Sequence, residues 1–351
     1  MLATYFRSSS YNRYDFCPHA YFMEYNLGWN GRSGKAAVKG TTVHKVLEIM
    51  AMIKKAQQNG KKSVGDVIGR VKEDYDLDKL IEKCYKYYTE NEAHIKWANA
   101  DYKDVNKWTH MALELNNGQY DPREREIWDS EPFFDFIIDQ PWSSYSYQVG
   151  KEIIEGQLSI KGTIDLILKV DDNTLEICDW KTGQKRTDWA TGKEKNYDDF
   201  MKDFQLRLYH YAAHLLYPEF ENIIVTICYV RAGGPFTLCF SKDDLKDTEE
   251  MIKKRFEQIK KCKKPFRIIT DKQQNWKCKY LCDSGKTTFE GTHIAPMQEF
   301  RRGQKTRYGD IMSKCEQVHF ELERKGMEEV INHYTEKDFS IGYYHDPGGV
   351  G

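Results

Sequence analysis

Two short β-rich runs joined by an acidic turn constrain this chain more than any other feature. Gly162-Thr163-Ile164-Asp165 leads into Leu166-Ile167-Leu168-Lys169-Val170, and Leu175-Glu176-Ile177-Cys178 leads into Asp179-Trp180-Lys181. Asp171, Asp172, Asn173 and Thr174 between them carry turn chemistry, so the unit reads as a hairpin. Side chains alternate across a strand, which puts Asp179 and Lys181 on one face. A correct register brings Asp165 beside them. Two carboxylates and an ammonium at one strand end are costly to hold together unless a hard cation or a phosphate joins them.

Composition narrows the class. The 351 residues suffice for one large domain or two ordinary ones with a sizeable core. The formal net charge is −1 and the pI about 6.8, so no global basic field marks a nucleic-acid binder. Local runs stand out instead: Lys253-Lys254-Arg255, then Lys260, Lys261, Lys263 and Lys264 ahead of Phe266 and Arg267, then Arg301, Arg302, Lys305 and Arg307. Each reads either as a solvated face or as phosphate contacts along a strand. Lys260, Lys261, Lys263 and Lys264 are the DNA-binding candidates. No run approaches the roughly 18 apolar residues of a membrane span, and the start lacks a secretory pattern. Nine cysteines without such a signal point to reduced thiols or metal ligands rather than a disulfide framework. The expected location is the cytoplasm of a bacterial or phage-infected cell.

Residues 1–60 read as an N-terminal arm, with little apolar content of its own, and a helix from about Thr41 to Lys54. Residues 61–140 carry Leu80, Ile81, Cys84, Tyr87, Tyr88 and Trp97 at helical spacing. That predicts an inserted helical subdomain with the stripe as its core; base stacking is the sharper alternative. Residues 141–270 hold the main sheet and its helices. Strands are expected within 145–182, a helix from about Met201 to Tyr217 stopped by Pro218, and a buried strand over Ile223–Val230. A turn at Gly233-Gly234-Pro235, a strand to Phe240 and a helix from about Lys242 to Lys261 follow. Residues 271–351 form a C-terminal segment with a cysteine pair and a tail.

Four separated pieces occur together: Gly40-Thr41-Thr42-Val43-His44, Gly162-Thr163-Ile164-Asp165, Asp179-Trp180-Lys181-Thr182-Gly183 and Gln205-Leu206-Arg207-Leu208-Tyr209. An opening segment runs from Ser8 through Cys17-Pro18 to Tyr21. In this order they resemble the PD-(D/E)XK nuclease superfamily, within it the RecB-type and Cas4-type exonuclease branch. The resemblance implies an α/β, restriction-endonuclease-like fold: a mixed central sheet flanked by helices, with an inserted helical subdomain. It also implies a Mg²⁺- or Mn²⁺-dependent deoxyribonuclease, an exonuclease or end-processing enzyme of recombination, repair or phage DNA metabolism.

Carried over residue by residue, Asp165 and Asp179 hold the metal, and Trp180 lends it a main-chain carbonyl. Lys181 positions the attacking water and stabilises the transition state. His44 joins as a metal ligand; outside this context a lone helix histidine reads as structural. Gln205 and Tyr209, four apart on one helix face, touch substrate or order the lysine. Glu152 is a candidate outer carboxylate. The implied partner is DNA, single-stranded or an end-bearing duplex. The sequence holds no Gly-x-x-x-x-Gly-Lys-[Ser/Thr] phosphate loop, so a helicase or recombination motor would be a separate chain. The alternative is a catalytically silent module of the same fold that grips DNA ends or a helicase. The retained Asp179 and Lys181 argue against it.

By the same resemblance, Cys17 and cysteines near the C-terminus share a [4Fe–4S] cluster. Here three residues separate Cys278 from Cys282 where the family usually has two, and no cysteine follows between Asp283 and Thr292. Cys262, His293 and Cys315 are candidates for the fourth ligand. His293 gives a Cys₃His zinc shell, whereas Cys262 or Cys315 leaves cluster or zinc open. Cys84, Cys178, Cys228 and Cys239 read as ordinary core or bland thiols.

Overall fold

The computed structural model describes residues 1–29, 33–184, 186–187, 193–267, 278, 282, 294–296 and 311–337. They fall into two compact units. One comprises Ser33–Phe134 and Gly162–Thr248, the other Met1–Arg32, Asp135–Lys161 and Glu249–Gly351.

The first unit is built on a five-stranded sheet, ordered Phe236–Cys239, Asn222–Tyr229, Thr174–Lys181, Leu166–Lys169 and Ile127–Ser130. Thr174–Lys181 pairs antiparallel with Leu166–Lys169, Cys178 opposite Leu166. The acidic turn closes this hairpin, Asn173 N–H donating to Asp171 Oδ1 at 2.8 Å. On its other side Thr174–Lys181 runs parallel to Asn222–Tyr229, Lys181 opposite Tyr229. A parallel pair needs a crossover, and the helix Phe204–Leu216 supplies it. The sheet is therefore mixed. Burial covers the central strand from Thr174 to Trp180, and only Lys181 at its end is partly exposed.

Cys178 and Trp180 share one core with Val43, Val46, Leu47 and Met50 of the helix Lys35–Gln58. That helix begins six residues before the Thr41 start the sequence suggests. Thr41 and Thr42 do not cap it. Their hydroxyls donate back to the carbonyls of Ala37 and Val38, at 3.2 and 2.8 Å. Helices Leu77–Asn91 and Asn99–Leu113 add Leu80, Ile81, Cys84, Val105 and Trp108 to the same core. Tyr87, Tyr88 and Trp97, expected in the core stripe, are only half-buried. A hairpin of Ser63–Asp66 and Gly69–Lys72 precedes them, turned by Gly69 at φ 98°.

The helix expected from about Met201 to Tyr217 runs from Phe204 to Leu216, and a short separate helix precedes it. Tyr197–Met201 ends, and Asp203 starts Phe204–Leu216 by accepting the Gln205 N–H at 2.9 Å. The buried Glu176 is satisfied from two sides, by Arg125 Nη2 at 2.8 Å and Thr226 Oγ1 at 2.7 Å.

In the second unit Tyr5–Phe6 pairs parallel with Ser159–Ile160. Helices Ser8–Phe16 and Pro18–Tyr21, the hairpin Ser144–Val149 with Glu152–Gln157, and helices Lys314–Lys325 and Met327–Lys337 belong to it. The N-terminal arm is more apolar than its sequence suggests: Met1, Leu2, Phe6, Tyr21, Phe22, Met23 and Leu27 are all buried. Asn26, buried among them, accepts from Leu2 N–H and donates to Leu2 O, both at 2.9 Å. This pair closes the arm onto the helical turns that follow it.

Candidate active site

The site forms where the hairpin strand ends. Asp165 directly precedes Leu166–Lys169, and its Oδ2 accepts the Trp180 N–H at 2.9 Å. His44 reaches the same oxygen from the long helix, Nδ1 at 3.3 Å. Lys181 Nζ lies 2.8 Å from Asp179 Oδ1 and 2.6 Å from Oδ2. Gln205 Nε2 donates to the Tyr209 hydroxyl at 2.9 Å, as the four-residue spacing on Phe204–Leu216 requires. Gly40 lets the helix approach closely: a methyl there would lie 2.7 Å from Thr182 Oγ1.

Gly162 has a comparable role. A methyl on it would lie 2.5 Å from Cζ of Phe134, a fully buried ring, so the strand leading to Asp165 packs against that ring. Gly162→Ala is expected to lower stability by about 1–3 kcal/mol through overpacking, and Phe134→Leu to restore part of it. Urea unfolding of the single and double variants checks this; additive losses would show that the contact is not the cause.

The electrostatics are tightly linked. Burial pushes the Asp179 carboxyl up, Lys181 pulls it down and Asp165 raises it again, leaving it at about 6. For Asp165 burial acts in the same upward sense, but the charges of His44 and Lys181 outweigh it and hold the carboxyl below its usual value. Burial would lower Lys181, yet Asp179 and Asp165 keep it above the ordinary lysine value. The same balance, burial against Asp165, raises His44.

A third carboxylate stands at this site that sequence reasoning missed. Glu131 N–H donates to the Asp165 carbonyl at 3.2 Å, and its side chain interacts electrostatically with Asp165, Glu48 and His44. Burial, then the charges of Asp165 and Glu48, push its carboxyl up to about 8. Its φ of 50° is unusual for a residue other than glycine, and more so for one preceding a proline.

These donors suit a divalent cation. Asp179 is fully buried, and the charge facing its Oδ2 is the Lys181 ammonium at 2.6 Å. Two buried carboxylates that repel one another, with one ammonium between two charges, are what a hard cation relieves. Carboxylate oxygens plus one imidazole fit Mg²⁺ or Mn²⁺. Among the described residues no three such side chains already close on one point. Asp165 is turned to His44 and Asp179 to Lys181.

The family model of the PD-(D/E)XK nuclease superfamily matches residues 8–285, which span every element of this site. This chain belongs to the PD-(D/E)XK nuclease superfamily. The mixed sheet with its flanking helices accords with that superfamily's restriction-endonuclease-like fold. Among solved structures, it is similar to "Putative exonuclease" from Eubacterium rectale, at 9% identity and a TM-score of 0.45, covering 86% of this chain and 94% of that one. SSO0001 is a second, at 12% identity and a TM-score of 0.26, covering 72% of this chain and 96% of that one. No curated protein matches the chain.

Elsewhere in this nuclease the structure gathers thiols. Cys17, Cys278, Cys282 and Cys315 line one small pocket with Phe16, His19, Ala20, Met23 and Arg267. Cys315 Sγ lies 3.5 Å from His19 Nδ1. Cys262 is not in that lining; its Sγ lies 3.4 Å from Lys264 O. His293, like the basic run from Arg301 to Arg307, lies outside the described residues.

The lysine run is divided. Lys260 Nζ donates to Ser144 O, Lys261 pairs with Glu257 and Lys264 with Glu323, at 2.8, 2.9 and 2.6 Å. Lys263 is exposed. Glu152 is exposed on its hairpin in the second unit.

Proposed function

We propose that this nuclease is a Mg²⁺- or Mn²⁺-dependent deoxyribonuclease of the RecB-type branch, acting as an exonuclease or end-processing enzyme on DNA. The supporting observation is the meeting of Asp165, Asp179, Lys181 and His44 at one strand end. Asp165 and Asp179, with His44 and the Trp180 carbonyl, are the groups that would hold the ion. When bound, it supplies Lewis-acid stabilisation of charge developing at phosphorus and a lowered pKa for the attacking water. Lys181, anchored by Asp179, orients that water and places a positive charge beside the phosphate. Tyr209, held by Gln205, fixes the substrate side of the site. Recombination, repair or phage DNA metabolism is the proposed setting, with a separate helicase or recombination protein as partner. A cytoplasmic location goes with this setting; among the described residues no helix is long and apolar enough to cross a membrane.

The test is hydrolysis of end-labelled single- and double-stranded DNA, with free and blocked ends, with and without each metal. Cleavage that needs the metal and a free end supports the reading. Cleavage of blocked circles removes the exonuclease part, and no cleavage with either ion removes the enzyme. His44→Ala is expected to weaken metal affinity by about 10–100-fold while sparing metal-free DNA binding. Titrating activity against Mn²⁺ checks this; an unchanged midpoint would make His44 structural.

The four pocket cysteines are proposed to hold a structural metal group, a [4Fe–4S] cluster or a zinc ion, with Cys315 in the fourth place. The support is that four cysteines line one small apolar pocket, although among the described residues no three of them already close on one point.

A further inference from the structure

Arg231 is held on two sides, by a ring and by a main-chain carbonyl. It stands two residues beyond Tyr229, the partner of Lys181 across the parallel strand pair. The strand ends at Tyr229 and Arg231 lies in the turn that follows; two residues span at most about 7 Å, so Arg231 begins close to the level of Lys181. Its backbone neighbour Val230 donates to Lys181 O at 3.0 Å, and its own Nε donates to Thr182 O at 2.8 Å. The guanidinium carbon lies 3.7 Å from the centre of the Trp108 ring, which is only 6% exposed. Stacking and the Nε bond together fix the plane of the fork.

The two terminal amino groups of Arg231 make no hydrogen bond or ion pair among the described residues. Asp104, whose charge acts on it, is already paired with Lys39 at 2.6 Å. Lys39 itself lies 5.0 Å from the Trp108 ring centre and also contacts Asp101. Among the described residues Arg231 is thus the cation of this corner whose terminal donors have no partner. A staple between two strand ends would need the Nε bond alone. A preoriented fork with free N–H edges matches the geometry of a phosphate. Partial burial also works against its charge, which a bound anion would offset.

We propose that Arg231 is a phosphate clamp: its free amino groups hold a backbone phosphate of the bound nucleic-acid strand, next to the one cut at Asp165, Asp179 and Lys181. This deepens the nuclease reading and rests on it. The clamp reads no base, so it contributes affinity and register rather than sequence preference.

The test is anisotropy of a labelled oligonucleotide bound in EDTA over a range of KCl, for wild type, Arg231→Gln and Arg231→Lys. Arg231→Gln is expected to weaken binding about tenfold at low salt. It should reduce the slope of log K against log salt by about 0.7–0.9, one phosphate contact, equally for all sequences. Arg231→Lys keeps the charge but loses the stacked Nε bond, and is expected to restore the slope. A lowered melting temperature with an unchanged slope in Arg231→Gln would make the residue a staple and overturn the proposal. So would a slope that Arg231→Lys does not restore, or a wild type that binds no DNA. The nuclease reading is judged separately, by metal-dependent cleavage in the wild type: intact cleavage with an unchanged slope removes the clamp alone.

Discussion

Asp179→Asn is expected to cut metal-dependent cleavage on the order of 10³-fold, while the metal-free protein melts at or slightly above the wild-type temperature. The loss follows from the removal of a charged ion ligand and of the anchor for Lys181. The retained stability follows from burial. Asp179 has no exposed surface, and removing its charge beside Asp165 relieves repulsion. The amide still offers Lys181 a carbonyl oxygen. Lys181→Ala is the informative contrast. It also abolishes cleavage, but strands a fully buried carboxylate, so it should destabilise by about 1–3 kcal/mol. Melting with and without Mn²⁺ separates the roles: wild type should gain stability from the ion, and Asp179→Asn should lose that gain. Retained Mn²⁺-dependent cleavage in clean Asp179→Asn protein would sink the assignment of the site.

Local patterning made much of this arrangement legible. Alternation and turn chemistry sufficed to pair Leu166–Lys169 with Thr174–Lys181, and the apolar run from Ile223 reads as the buried strand beside it. The break at Lys202 was also local, since Asp203 offers cap chemistry, but hydrophobic spacing through Phe200 and Phe204 masks it. Glu131 was hidden for another reason. It reaches the site through the pairing of Ile127–Ser130 with Leu166–Lys169 and a left-handed turn ahead of Pro132. Neither long-range register nor positive φ at a glutamate has a sequence signature. The clamp proposed at Arg231 was likewise unreadable, because Trp108 is distant in sequence and meets it only through tertiary packing.

Cys315→Ser should cost the protein its bound metal and a large part of its thermal stability, whereas Cys262→Ser should leave both unchanged. Spacing could not single out Cys315, because it sits on the helix Lys314–Lys325, well beyond Cys282 in sequence. The fold brings it to the pocket that Cys17, Cys278 and Cys282 line, and leaves Cys262 outside that lining. Burial and the neighbouring thiols raise Cys315 well above an ordinary thiol, so without a cation it stays protonated. Metal binding would reverse that preference, and the thiolate would gain the His19 imidazole as a neighbour at Nδ1. A metal joining residues this far apart restricts the unfolded chain, so its loss should lower the melting temperature by several degrees. Elemental analysis identifies the ion: about four irons indicate a cluster, one zinc a closed shell. Wild-type protein free of both metals, or one whose melting is unmoved by chelation, would show that the thiols meet only as packing. The active site would stand in either case, since none of its residues belongs to this pocket.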